Sequence, residues 1–115
     1  EAPEVAAARD RTAISDTLGR YRTAFEQLDG AALTRVYPSI PQDIVTALEG
    51  YQSYRMVMSD LSTQIDGGTA TVRGRLSLTM TPRRGRPAAE SVLAVFRLER
   101  QNQAEWIITG LEMTR

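Results

Sequence analysis

The stretch Thr69-Ala70-Thr71-Val72-Arg73-Gly74-Arg75-Leu76-Ser77-Leu78-Thr79-Met80-Thr81 alternates without a break. Successive side chains of an extended chain point to opposite sides. Ala70, Val72, Gly74, Leu76, Leu78 and Met80 therefore share one face, and Thr71, Arg73, Arg75, Ser77, Thr79 and Thr81 share the other. One apolar and one polar face predict an antiparallel strand with a core on one side and water on the other.

Reading outward, Asp66-Gly67-Gly68 supplies the positive φ angles of a tight hairpin turn. It joins the alternating run to an earlier extended segment, Tyr54 to Ile65. On the other side Pro82-Arg83-Arg84-Gly85-Arg86-Pro87 is a loop, since neither proline has the N–H that a central strand needs. Two more extended segments follow, Ser91 to Arg100 and Glu105 to Met113. The four-stranded sheet thus occupies the second half of the chain.

The first half has a different period. Ile14, Leu18, Tyr21, Phe25 and Leu28 fall at steps of three and four, which places them on one stripe of a helix starting near Thr12. Asp29-Gly30 is expected to end it through glycine's tolerance of the left-handed conformation. Leu33, Val36 and Tyr37 mark a second, short helix stopped by Pro38. Ile44, Val45 and Leu48 mark a third, facing inward until Gly50. Residues 1–11, with Pro3 and an Ala/Glu bias, are expected to be a linker or a frayed helix start, and residues 12–115 a single domain. A start at Glu1 with no leader points to a piece of a larger parent protein.

Composition limits the chemistry. The 115 residues suffice for one buried core, and 42% apolar with 24% charged residues is ordinary for a globular domain. Fourteen basic residues balance fourteen acidic ones, which removes a whole-chain electrostatic argument for nucleic acid. Cysteine and histidine are absent, and with them the thiolate nucleophile, the commonest general base and the usual transition-metal ligands. No cofactor, no metal site and no membrane-spanning segment is expected.

The two late segments carry apolar residues on both faces. Leu93 and Val95 oppose Val92, Ala94, Phe96 and Leu98, and Ile107, Leu111 and Met113 oppose Trp106 and Ile108. A sheet face that met only water would be polar, so Leu93, Val95, Ile107 and Leu111 are expected to be covered, either by loops or the N-terminal segment or, the reading favoured, by a second copy.

The order of one long helix, two short helices and four antiparallel strands resembles the NTF2-like superfamily, in particular its SnoaL-like and accessory members. The resemblance covers Thr12 to Arg115. It is carried by Leu18-Gly19-Arg20-Tyr21-Arg22-Thr23-Ala24-Phe25-Glu26-Gln27-Leu28-Asp29-Gly30-Ala31-Ala32-Leu33, similar to that family's helix-Asp-helix opening, and by the closing Trp106-Ile107-Ile108. The run Arg20 to Asp29, followed by Val36-Tyr37-Pro38-Ser39, also resembles the C-terminal domain of some bacterial membrane-anchored serine/threonine kinases and related signalling proteins. That likeness would make the chain extracytoplasmic. The fold implied is an α+β cone, its helices packed on a curved sheet. The functions implied are two: a non-catalytic accessory or sensory module that dimerises or binds a ligand or partner, which the residue inventory favours, and a small-molecule isomerase, cyclase or carrier working in the conical cavity.

Catalytic members of such a family place an acid, tyrosine or histidine where it can move a proton. The weak candidates are Asp60, in phase with Tyr54, Met56 and Met58, and Glu112, in phase with Trp106 and Ile108. A carboxylate on an apolar face has its pKa raised, although a bulge or strand end nearby turns it to solvent. Tyr21, Tyr54, Met56 and Trp106 are the cavity candidates, with core packing the better reading for Tyr21 and Tyr37. Arg83, Arg84 and Arg86 form the densest charge cluster, a candidate anion site joined by Arg73 and Arg75; a solvated hairpin tip is the commoner outcome for such a run.

Overall fold

In the computed structural model, which describes residues 3–101 and 105–114, Ile14, Leu18, Tyr21 and Phe25 are buried along one side of helix α1, Pro3–Glu26. The helix begins well ahead of Thr12, where the apolar spacing starts. Its early turns are held by charge: the Asp10 carboxylate, 12% exposed, reaches Arg100 at 3.5 Å. Residues 3–11 are therefore helical, while Glu1 and Ala2 of the expected linker lie outside the described residues.

The junction after α1 differs from the expectation in a way that close packing explains. Leu28, not a glycine, takes the left-handed conformation, with φ 55°, while the Asp29 N–H donates to Ala24 O and the Leu28 N–H to Phe25 O. Asp29 then caps helix α2, Gly30–Val36, by accepting from the Ala32 N–H at 3.1 Å. Gly30 serves proximity: a Cβ there would lie 2.7 Å from Val45 Cγ1, in helix α3, Gln42–Ala47. A 3₁₀ turn, Leu48–Gly50, follows. Of the three residues expected to face inward here, Leu48 is buried and Val45 half-buried, but Ile44 is 38% exposed, because so short a helix presents little more than one turn to the core.

The strands are β1 (Tyr51–Asp66), β2 (Thr69–Pro82), β3 (Ala88–Arg100) and β4 (Trp106–Thr114). They form one antiparallel sheet in the order β1-β2-β3-β4. Strand β2 behaves as its alternation requires: Ala70, Val72, Leu76 and Leu78 are buried, and Arg73, Arg75, Ser77 and Thr79 exposed. Its partners are less regular. Ser59 pairs with Arg75 and Ser62 with Arg73, so Asp60 and Leu61 together oppose Gly74. Asp60 adopts φ 55° in this bulge. A Cβ on Gly74 would lie 2.5 Å from Leu61 Cδ2 and 3.0 Å from Ser59 O, so the missing side chain makes room for the bulged strand. A second irregularity leaves Thr109 as the extra residue, since Arg97 pairs with Gly110 and Leu98 with Ile108. Each extra residue shifts every later side chain to the opposite face.

A sheet in this order has two edges, β1 and β4, and the helices reach both. At one edge the Glu26 carboxylate accepts the Met56 N–H at 3.2 Å. At the other the Thr17 hydroxyl, fully buried, donates to the Trp106 carbonyl at 2.9 Å and lies 3.0 Å from Ala13 O. Ser39 donates to Thr109 O at 3.4 Å. Replacing Thr17 by valine keeps the shape and deletes the donor, leaving a buried carbonyl short of a partner. Urea unfolding of Thr17→Val is expected to show a loss of ~1–3 kcal/mol, against a near-neutral effect for Thr34→Val, whose hydroxyl makes a similar bond to Gly30 O in an exposed position. Equal, small effects at both positions would remove Thr17 as the tie between helix and sheet.

Candidate functional site

The concave side of the sheet is where a cone-shaped fold would hold a ligand, and here it is occupied by the protein's own rings. Tyr21 and Phe25 come from the α1 stripe, Tyr54 from the inner row of β1 and Phe96 from that of β3. Tyr51, Tyr54, Phe25, Tyr21 and Phe96 touch in sequence, with centroid separations of 5.5, 5.0, 5.0 and 5.5 Å, distances typical of edge-on and tilted aromatic packing. Tyr21, Met56 and Trp106 are each 1% exposed, and Tyr54 9%. The four expected cavity residues are thus packed core. Of three depressions, about 700, 410 and 330 Å³, none is lined by Tyr21, Tyr54 or Phe96; the second lies on the concave side away from these rings, between Ile14 and Leu18 of α1 and Met58, Leu61 and Thr63 of β1.

Burial also fixes the charge state of the phenols. Desolvation, then Tyr54 and Tyr37, raises the Tyr21 pKa far beyond the ordinary tyrosine range. Tyr54 is pushed up to about 12, chiefly by burial and further by Tyr51 and Glu90. Both hydroxyls stay protonated at neutral pH.

Neither expected carboxylate reaches this interior, and the two bulges are the reason. Asp60 occupies the β1 bulge, is exposed, and shares an outer-face depression with Arg73, Arg75, Leu93 and Val95. Glu112 lies beyond the β4 irregularity, opposite Val95, and pairs with Arg97 at 3.1 Å with both side chains more than 60% exposed. Such a pair contributes little stability. The same shift moves Leu111 from the outer to the inner face: it pairs with Phe96 and packs half-buried against the core. Leu93, at 51% exposure, Val95 and Ile107 keep their outward position.

One acid does lie on the inner face. Glu90 pairs with Leu78 and is half-buried within reach of Tyr54's electrostatic influence. It is in phase with Val92, Ala94 and Phe96, and starting the third segment at Ser91 hid it. The arginine cluster separates on inspection: Arg83 Nε donates to Glu49 O at 2.9 Å, Arg84 and Arg86 are exposed, and Arg75, which donates to Ser91 Oγ at 3.2 Å, is roughly 25 Å along the strand from Arg83. The largest of the three depressions, about 700 Å³, lies between α1, α2 and the start of β4 and includes Arg20, Arg22, Arg35 and Trp106.

No family model and no curated protein matches the sequence. Solved structures do match its shape. A candidate aromatic ring hydroxylase from Novosphingobium aromaticivorans superposes with a TM-score of 0.83 at 17% identity, covering 99% of this chain and 91% of that one. A candidate dehydratase of the NTF2-like family from Streptomyces avermitilis gives 0.79 at 13% identity, covering 97% of both chains. This chain has the NTF2-like fold. A further NTF2-like protein, from Novosphingobium aromaticivorans and described as cystatin-like, gives 0.74 at 15% identity over 96% of this chain and 84% of that one. Identities this low speak for the NTF2-like architecture and leave the chemistry to the site itself.

The raised tyrosine values carry a pH dependence. A phenol whose pKa is higher in the folded than in the unfolded state contributes stability below the unfolded value near 10, and that contribution is lost as pH rises toward the folded value. The denaturant midpoint is therefore expected to fall between pH 10 and 12, and Tyr54→Phe to flatten the slope. A midpoint that rises over this range, or a variant slope identical to wild type, would place Tyr54 in water.

Proposed function

We propose that this domain is a non-catalytic NTF2-like module of a larger bacterial protein, which associates with a second copy of itself through the outer face of its sheet. The observation that carries the reading is the filled interior: Tyr21, Phe25, Tyr54 and Phe96 occupy the space a substrate would need, and Asp60 and Glu112 face away from it. The outer face has the composition of an isologous interface. Leu93 at 51% and Val57 at 59% exposure, with Val95 and Ile107, provide apolar area. Around them lie charges of both signs, Arg73, Arg75 and Arg97 with Asp60, Glu99 and Glu112. A two-fold contact requires one patch to complement itself, and a patch with both signs can do so. The likeness of Arg20 to Asp29 and of Val36-Tyr37-Pro38-Ser39 to the tail domains of bacterial membrane-anchored kinases supports an accessory setting of this kind.

The alternative, small-molecule chemistry of the SnoaL-like type, draws support from neighbours described as hydroxylase and dehydratase candidates. It would have to use Glu90, the acid found on the inner face of the sheet among the described residues, within the electrostatic influence of Tyr54. Sedimentation equilibrium separates the readings. The wild type is expected to be a dimer and Val95→Arg a monomer with unchanged circular dichroism. A wild type that is monomeric throughout the micromolar range, or a dimer indifferent to Val95→Arg, would overturn the proposal.

A further inference from the structure

The groove between α1, α2 and the start of β4 lies outside the cone and meets the outer sheet face only at Ile107, so the arginines it offers are independent of the association reading. Its volume of about 700 Å³ falls within the range of small-molecule sites. Three guanidiniums border it: Arg20 and Arg22 from α1 and Arg35 from the last turn of α2. Arg20 Nη2 donates to the buried Thr17 hydroxyl at 3.2 Å, which steadies that side chain. No carboxylate lies within ion-pair distance of any of the three among the described residues.

Two acids, Asp16 and Glu105, share the lining. Three positive and two negative side chains leave an excess of one positive charge in a chain whose total is zero. Small residues, Gly19, Ala24 and Ala32, occupy the walls where longer side chains would fill the space. Trp106 belongs to the same lining, and its Nε1 is buried with no hydrogen-bond partner. A buried donor without an acceptor is costly, and an acceptor oxygen entering the groove would relieve that cost after a small adjustment of the lining.

We infer that this groove is a binding site for a small organic monoanion, a carboxylate on a small apolar body, held by Arg22 and Arg35 through charge-assisted hydrogen bonds, with one carboxylate oxygen toward the Trp106 Nε1–H. A single negative charge matches the local excess; a phosphate dianion would exceed it and meet Asp16 and Glu105 as well. Guanidinium forks suit carboxylate geometry, and the small-residue walls at Gly19 and Ala32 leave room for a compact apolar body.

Trp106 is the sole tryptophan, so its emission reports on this groove directly. Benzoate titrated into the intact chain is expected to change that emission saturably, while benzyl alcohol and inorganic phosphate at the same concentrations do not. Arg35→Gln and Arg22→Gln should each weaken benzoate binding roughly tenfold or more, with folding verified by circular dichroism, and Arg84→Gln on the distant hairpin should leave it unchanged. An absent response to benzoate overturns the site. Equal responses to benzyl alcohol or to phosphate overturn the monoanion assignment, and binding indifferent to both groove arginines overturns the placement. Because the groove shares Ile107 with the outer sheet face, the titration is run on Val95→Arg as well as on the wild type, and the same outcomes in both separate a failure here from a failure of the association reading.

Discussion

Everything in this domain depends on α1 being tied to both edges of the sheet it crosses. Thr17 donates to the Trp106 carbonyl on β4 and Glu26 accepts from the Met56 N–H on β1. An open sheet presents unpaired backbone groups along each edge, which invite uncontrolled strand addition. Here one helix answers some of those groups at each edge while its apolar stripe fills the space between. The stripe and the ties are the same geometric fact seen twice: a helix long enough to span the sheet must bury Ile14, Leu18, Tyr21 and Phe25, and once those are seated its polar residues arrive at the edges.

The second determinant is the pair of bulges. Without the extra residue opposite Gly74, Asp60 would continue the inner row of Tyr54 and Met56; without Thr109, Glu112 would continue that of Trp106 and Ile108. Either insertion is small in sequence and large in effect, because a period of two converts one added residue into a change of face. The interior is thereby kept free of both acids and receives Leu111 in exchange. A proton-transfer site needs an ionisable group near a vacant space, and these insertions work against the first requirement as the aromatic chain works against the second.

How much was legible follows from the same physics. The strands, their hairpin turn and the α1 stripe were readable because periodicities of 2 and 3.6 are local properties. The α1 start at Pro3 was not, since Asp10 earns its place through Arg100, ninety residues away. Gly30 could be seen as a break but not as a contact with Val45, and Leu28 carries no signal for a left-handed turn. Asp60 and Glu112 were misplaced because a bulge depends on what the neighbouring strand tolerates; Gly74 inside a regular alternation was the one visible hint. Glu90 was readable in principle and was lost by one residue at a strand boundary. The arginines of the groove were unreadable as a group, being brought together only when α1 and α2 fold against β4.

The central claim, that the part of the concave interior around Tyr21, Tyr54 and Phe96 is closed by its own side chains, can be put to a small apolar probe. In a benzene-saturated sample, intermolecular nuclear Overhauser effects to the ring protons of Tyr21, Tyr54 and Phe96 are expected to be absent, because those rings already occupy one another's contact distance. Cross-peaks from benzene to those three rings would contradict the account, since they would reveal an internal space large enough for a substrate.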